Sequence, residues 1–165
     1  MAGTYESIAS QTLGSAAASI TFSSIPATFT DLRLVLVGTQ TSGNLDLQFN
    51  SDTGTNYSQT FFYGDGASVT STRRTTVSQI QLSEYSGLNA TTPSARYVDI
   101  FSYAGSTFKT ALNSENQDLN GSGFVLNGVG LWRSTAAITS VSLTTTGAGE
   151  LKIGTTAELI GISNA

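Results

Sequence analysis

Apolar residues in this 165-residue chain recur at every second position, in runs of four to eight broken by Gly, Asn, Asp, Ser and Pro. Successive side chains of a strand point to opposite faces, so a period of two sets one face against a core and the other toward water. Asp31 to Thr39 is the strongest case, with Leu32, Leu34 and Leu36 on one face and Val35 and Val37 sharing the other with Arg33. An apolar load on both faces predicts a central, doubly covered strand. Leu45, Leu47 and Phe49 alternate with Asp46, Gln48 and Asn50. From Arg96 to Tyr103, Tyr97, Asp99, Phe101 and Tyr103 alternate with Val98, Ile100 and Ser102. No window of a dozen residues carries the i, i+3, i+4, i+7 spacing of an amphipathic helix.

Further runs predict strands over Tyr5 to Leu13, Ala17 to Ser23, Tyr57 to Tyr63, Val77 to Tyr85, Thr107 to Glu115, Phe124 to Trp132, Ile138 to Thr144 and Glu158 to Ile162, with a short extra run at Leu151 to Ile153. Ser51-Asp52-Thr53-Gly54 reads as a tight turn, Asp capping it and Gly supplying positive φ. Ser86 to Ser94 and Asn116 to Gly123 read as loops. About nine or ten strands are too many for one small sheet and must bury a face against a second. The expectation is one all-β domain over residues 1–165, a two-sheet β-sandwich of jelly-roll type. The Cys-Trp-Cys core of an immunoglobulin domain is missing.

The side-chain inventory narrows the chemistry. The chain has no His and no Cys, while 25 Thr and 23 Ser carry hydroxyls. That excludes Ser-His-Asp and Cys-His catalysis, zinc sites of the usual ligands and disulfide staples. Charged residues make up 11%, against about 25% in an average domain. The formal net charge is −4, from seven basic and eleven acidic residues, so a basic footprint for nucleic acid is missing. Arg73-Arg74, the only adjacent basic pair, sits in a Ser/Thr-rich stretch and reads as a solvated loop. No apolar run approaches the roughly 20 residues that cross a bilayer as a helix, and the N-terminus lacks the pattern of a signal peptide.

Asp52 to Asn56 fails the calcium-loop pattern, having one carboxylate and no Glu at the twelfth position. Gly64-Asp65-Gly66 reads as a turn rather than a phosphate cradle. Glu115 and Asp118 are the nearest acidic pair for glycoside hydrolysis, but their Asn- and Gly-rich surroundings predict simple solvation. No catalytic residue, metal or cofactor is expected. Aromatic residues are the better candidates for contact: Phe61, Phe62 and Tyr63, then Tyr97, Phe101 and Tyr103, then Trp132 with Arg133. Such rings serve a core or a subunit interface, where Tyr and Trp are enriched.

Two segments carry a resemblance. Leu47 to Ser58, with Phe49-Asn50, Asp52, Gly54 and Asn56-Tyr57-Ser58, resembles a hairpin common in small virion proteins of tailed bacteriophages, especially marine and cyanobacterial phages. Gly130 to Leu143 resembles the C-terminal block of the same proteins, with Glu158-Leu159-Ile160-Gly161-Ile162 in place of their aromatic-containing last strand. The openings Thr4 to Ala9 and Ala18 to Ser23 are similar in style. The resemblance implies a non-enzymatic structural protein, assembled in the host cytoplasm and carried on the capsid exterior. It implies a decoration (cement) protein, often a homotrimer, that bridges neighbouring major capsid proteins. The alternative it implies is a tail-fibre or receptor-binding module for host surface glycans. The long stem or coiled coil expected of a fibre is not seen in this sequence, which favours decoration.

Overall fold

A computed structural model describes residues 4–83 and 87–163. Among these the chain forms twelve strands and no helix: β1 (Tyr5–Thr12), β2 (Ser19–Phe22), β3 (Asp31–Gly38), β4 (Leu45–Phe49), β5 (Tyr57–Gly64), β6 (Val69–Val77), β7 (Ile80–Gln81), β8 (Ser94–Phe101), β9 (Lys109–Asp118), β10 (Gly123–Trp132), β11 (Val141–Thr145) and β12 (Thr156–Ile162). They pair into an eight-stranded sheet, β1-β12-β3-β8-β9-β10-β5-β6, and a four-stranded sheet, β2-β11-β4-β7. Every pairing is antiparallel. The chain alternates between the sheets through β1 to β5 and visits the smaller sheet again at β7 and at β11, while the β5–β6 and β9–β10 hairpins widen the larger sheet.

Eleven of the twelve strands overlap predicted runs, so the runs already outnumber the expected nine or ten, and β6 is the strand that no run foretold. β6 reads Val-Thr-Ser-Thr-Arg-Arg-Thr-Thr-Val and is largely exposed. As the outermost strand it pairs on one side only, and hydroxyls and charges suit such an edge. Arg73 and Arg74 therefore lie in a strand, not in a loop. The predicted strand over Val77 to Tyr85 reduces to β7; Glu84, Tyr85 and Ser86 lie outside the described residues. The predicted loop over Asn116 to Gly123 is shorter than expected, since β9 runs to Asp118 and a turn closed by Leu119 N–H to Ser122 O at 2.8 Å leads into β10. Leu151 makes isolated bridges to Ala17 and Gln40 instead of a strand.

One buried cluster joins the sheets. Ile20, Leu47, Phe49, Val141 and Leu143 of the smaller sheet meet Leu32, Leu34, Leu36, Val98, Ile100 and Leu159 of the larger. The smaller sheet covers only one side of the larger, so β3 is not doubly covered as expected. Its leucines are buried, while Val35 is half-buried and Val37 is 39% exposed.

Phe49 of β4 lies 5.6 Å from Trp132 of β10 and 6.3 Å from Tyr57 of β5, measured between ring centroids. The polar atoms of these buried rings are satisfied. Trp132 Nε1 donates to Asp52 Oδ2 at 2.7 Å, and the Tyr57 hydroxyl accepts the Phe49 N–H at 3.0 Å. Asp52 Oδ1 also accepts the Gly54 N–H at 2.9 Å, so Asp52 caps this segment as expected and its carboxylate also orients the core indole. The positive φ lies at Asn50 (52°) and Ser51 (54°), in a turn closed by Asp52 N–H to Phe49 O at 2.9 Å, and not at Gly54. Gly130 lets the sheets close here, because a Cβ would fall 2.6 Å from Ile80 Cδ1.

Asp52→Ala removes an acceptor from a buried indole N–H and from the turn, and should cost about 1–3 kcal/mol in urea unfolding. The indole and the amides hold the Asp52 carboxyl below its ordinary value, the Trp132 bond contributing most. The part of this stabilisation that depends on ionised Asp52 is present above the unfolded carboxyl value, and is lost as pH falls through the lower folded one.

Candidate functional site

The open face of the eight-stranded sheet is the chain's most distinctive surface. Nine of the eleven large apolar side chains exposed among the described residues point from it: Tyr5, Val37, Phe62, Val69, Tyr97, Phe101, Leu112, Val125 and Val129. Their common orientation follows from register and alternation. One row across the strands reads Val35, Tyr97, Ser114, Asn127, Phe62, Ser71. The next reads Arg33, Asp99, Leu112, Val129, Thr60, Arg73. Phe62, Leu112 and Val129 line a groove of about 340 Å³ with Thr60, Ser71 and Asn127 at its margins. A second groove of about 360 Å³, lined by Arg73, Ser58, Thr75 and Thr110, shares Thr60 and Val129 with the first. Exposed apolar side chains gathered on one face, rather than scattered, mark an interaction surface.

The structure divides the eight expected contact residues between the two faces. Phe62, Tyr97 and Phe101 stand on the open face, 50%, 42% and 39% exposed. Phe61 and Tyr63 point inward and form a small second cluster with Leu126. Tyr103 and Trp132 are core side chains. Packing against this chain's own elements leaves none of these four rings free for a partner. Tyr103 clamps the connection before β3: its hydroxyl donates to Pro26 O and accepts the Phe29 N–H at 3.3 Å. Arg133 is exposed beyond β10, its guanidinium bonded to Thr55 O.

Leu112, Val125 and Val129 escaped the sequence reading. Alternation was visible in β9 and β10, but a period of two does not say which set faces inward. In β10 the inward positions include Gly128 and Gly130, because Phe61, Asn113 and Ile80 approach too closely for a side chain. The aliphatic set is thereby left outside.

The charged groups do not assemble into a reaction centre. Among the described residues no three Asp or Glu side chains gather to hold a metal ion. Glu115 and Asp118 sit on opposite faces of β9. Asp118 is exposed and accepts the Asn120 N–H at 2.8 Å. Glu115 is not solvated as expected: it is 3% exposed and paired with the equally buried Arg96, which also donates to Gly87 O at 3.0 Å. Arg33 and Asp99 form a bidentate pair at 2.6 and 2.9 Å on the open face. Arg73 Nε donates to Thr60 Oγ1 at 3.2 Å on that face, while Arg74 lies over the Phe61 ring on the other.

Burial pushes the Glu115 carboxyl up to about 7, against the pull of Arg96. Burial likewise pushes Asp46, near Arg74 and bonded by Gln79, up to about 6. Both groups have their ordinary carboxyl values when unfolded.

No protein-family model matches the chain, and no curated protein matches it.

Between the ordinary carboxyl value and about 7 the folded chain therefore holds protons that the unfolded chain has lost. Stability falls as pH rises through that window. Calorimetry should show Tm dropping several degrees from about pH 4.5 to 7.5, and Glu115→Gln should flatten the upper part of the fall. A Tm that rises over this range contradicts the assignment.

Proposed function

We propose that this chain is a non-enzymatic structural protein of a tailed-phage virion, a decoration protein that binds the outside of the head and stabilises it by bridging major capsid proteins. The observation that carries this reading is the wide apolar open face of the eight-stranded sheet, on a chain whose Arg33–Asp99 and Arg96–Glu115 pairs and turn-capping Asp52, Asp65 and Asp118 are engaged internally. An enzyme would concentrate reactive groups in a cleft; a clip spreads contact over area. We also propose that the architecture is a jelly roll. The orders β1-β12-β3-β8, within the larger sheet, and β2-β11-β4-β7 support it, because they match the two four-stranded orders expected of two interlocked Greek keys. On this reading the β5–β6 and β9–β10 hairpins are insertions that widen one sheet. The resemblance of Leu47 to Ser58 and Gly130 to Leu143 to phage virion proteins supports the placement on a particle.

One row favours a second reading, a receptor-binding module for host glycans. Tyr97 and Phe62 lie three strand spacings apart, about 14 Å, with Ser114 and Asn127 between them. Two rings flanking a hydroxyl and an amide can stack on and hydrogen-bond an extended sugar chain. Leu112, Val125 and Val129 on the same face weigh toward a protein partner, because aliphatic groups offer a sugar no hydrogen bond.

Particles assembled without this protein should rupture at lower temperature or milder osmotic shock than complete ones, and adding it back should restore them. Unchanged rupture thresholds would sink the decoration reading. Binding of the purified chain to host-cell glycans, lost in Tyr97→Ala and Phe62→Ala, would replace it with the second.

A further inference from the structure

We infer that copies of this chain join head to tail, β6 of one copy adding to β1 of the next, so that the eight-stranded sheet runs on from chain to chain. The contact uses the two lateral edges of the sheet, not its open face. It does not depend on where in a particle the protein sits. Three features of the edges point to it.

The first is what the edges leave open. Among the described residues no strand pairs with the outer side of β1 or of β6. Each edge presents backbone N–H and C=O groups that can template another strand. The sheet has eight strands and every pairing in it is antiparallel, so β1 and β6 run in opposite directions. β6 of one copy therefore meets β1 of the next antiparallel, like every other pair in the sheet. Two copies of β6 paired along their full length would instead set Arg73 opposite Arg73, with Arg74 beside it.

The second is register. Six cross-strand rows run unbroken through all eight strands. They start on β1 at Glu6, Ser7, Ala9, Ser10, Gln11 and Thr12, and end on β6 at Arg74, Arg73, Thr72, Ser71, Thr70 and Val69. Neither strand's irregularity breaks them: Ile8 is passed over on β1, and Thr76, at φ 60°, lies beyond the last row on β6. A copy added with its rows continuing places each β6 residue beside the β1 residue of its own row. It also keeps the open faces of successive copies on one side.

The third is charge. Glu6 is the only charged residue of β1, and Arg73 and Arg74 are the only ones of β6. Glu6 and Arg74 end the same row, which also holds Leu32, Ile100 and Ala111 and so faces the smaller sheet. Continued rows set Arg74 of one copy one strand spacing, about 4.8 Å, from Glu6 of the next, on the same face. Arg74 lies over the Phe61 ring and near Asp46, and a guanidinium with its several N–H donors serves more than one partner. Over the three strands nearest each edge, the β1 side carries Glu6, Asp31 and Glu158 against Arg33, three negative and one positive, a net of −2. The β6 side carries Arg73 and Arg74, a net of +2, with Asp65 in the turn beyond. The two edges attract although the whole chain carries −4. A head-to-tail contact closes into a ring or extends as a filament, and the homotrimer implied by the phage resemblance is one such ring.

A single strand pairing buries less than a standard interface, so the contact is weak in dilute solution and its test needs concentrated protein. The purified full chain at high micromolar concentration should sediment well above its 17.1 kDa mass. Arg74→Glu and Glu6→Arg should each weaken association at least about tenfold, because like charges then meet in the row. An equimolar mixture of the two variants should recover it, since each supplies the edge the other has lost, a rescue that misfolding cannot produce. A contact between two β6 edges would be indifferent to Glu6→Arg, and one between two β1 edges indifferent to Arg74→Glu; either result overturns the inference. Because the chain has no Cys, Ser71→Cys and Ser10→Cys give a second probe. In one chain these positions lie seven strand spacings apart, about 34 Å along the sheet, so a disulfide between them joins different chains. Mild oxidation should link a mixture of the two variants and leave each variant by itself unlinked. A chain that stays monomeric at these concentrations, or a mixture that links no faster than either variant alone, also overturns the inference.

Discussion

The packing of Phe49 between Tyr57 and Trp132 fixes the relation of the two sheets on which the rest depends. Phe49 belongs to the smaller sheet and the other two rings to the larger, with centroids 5.6 to 6.3 Å apart. Rings at such spacing contribute beyond their buried area. The indole and the phenol are also held by hydrogen bonds, to Asp52 and to the backbone of residue 49. Once Tyr57 and Trp132 face the smaller sheet, alternation settles every other side chain of β5 and β10. Gln59, Phe61 and Tyr63 follow Tyr57 inward, and Phe62 is left outside with Val125 and Val129. The working surface is thus a consequence of the core.

Much of this was legible in the sequence, and what was not has a physical cause. The alternations around Leu34, Leu47 and Val98 identified strands because one of their faces is buried. β6 was invisible because an edge strand with both faces open need not alternate. Phe61-Phe62-Tyr63 drew notice as a cluster of rings, but only the register with β10 separates Phe62 from its neighbours. Glu115 looked like a solvated loop residue because its partner, Arg96, is 19 positions away in sequence and adjacent only across the β8–β9 pairing. The capping role of Asp52 was legible, but the positive φ falls on Asn50 and Ser51 instead of Gly54, and the bond to an indole 80 residues away was beyond local sequence.

A chain this poor in charge uses what it has economically. Arg96 and Glu115 sit in the same inner row as Leu36, Leu126 and Tyr63, where the desolvation of two ions offsets most of their attraction. Such pairs contribute more to registering strands than to net stability, and this one lies across the β8–β9 seam, where the larger sheet extends into the β9–β10 and β5–β6 hairpins. Asp65 and Asp118 instead cap the two hairpin turns through backbone N–H groups. The Ser and Thr hydroxyls populate the solvent-facing positions of β1 and β6, the two outermost strands of the larger sheet, giving edges that bond water readily.

The most direct test of the proposed role is electron cryomicroscopy of the intact particle at a resolution that traces strands. We expect the chain on the exterior of the head, with the face bearing Phe62, Tyr97 and Leu112 covered by protein density. A chain found elsewhere in the particle, or one whose eight-stranded sheet looks into open solvent while its other surfaces make every contact, would contradict it.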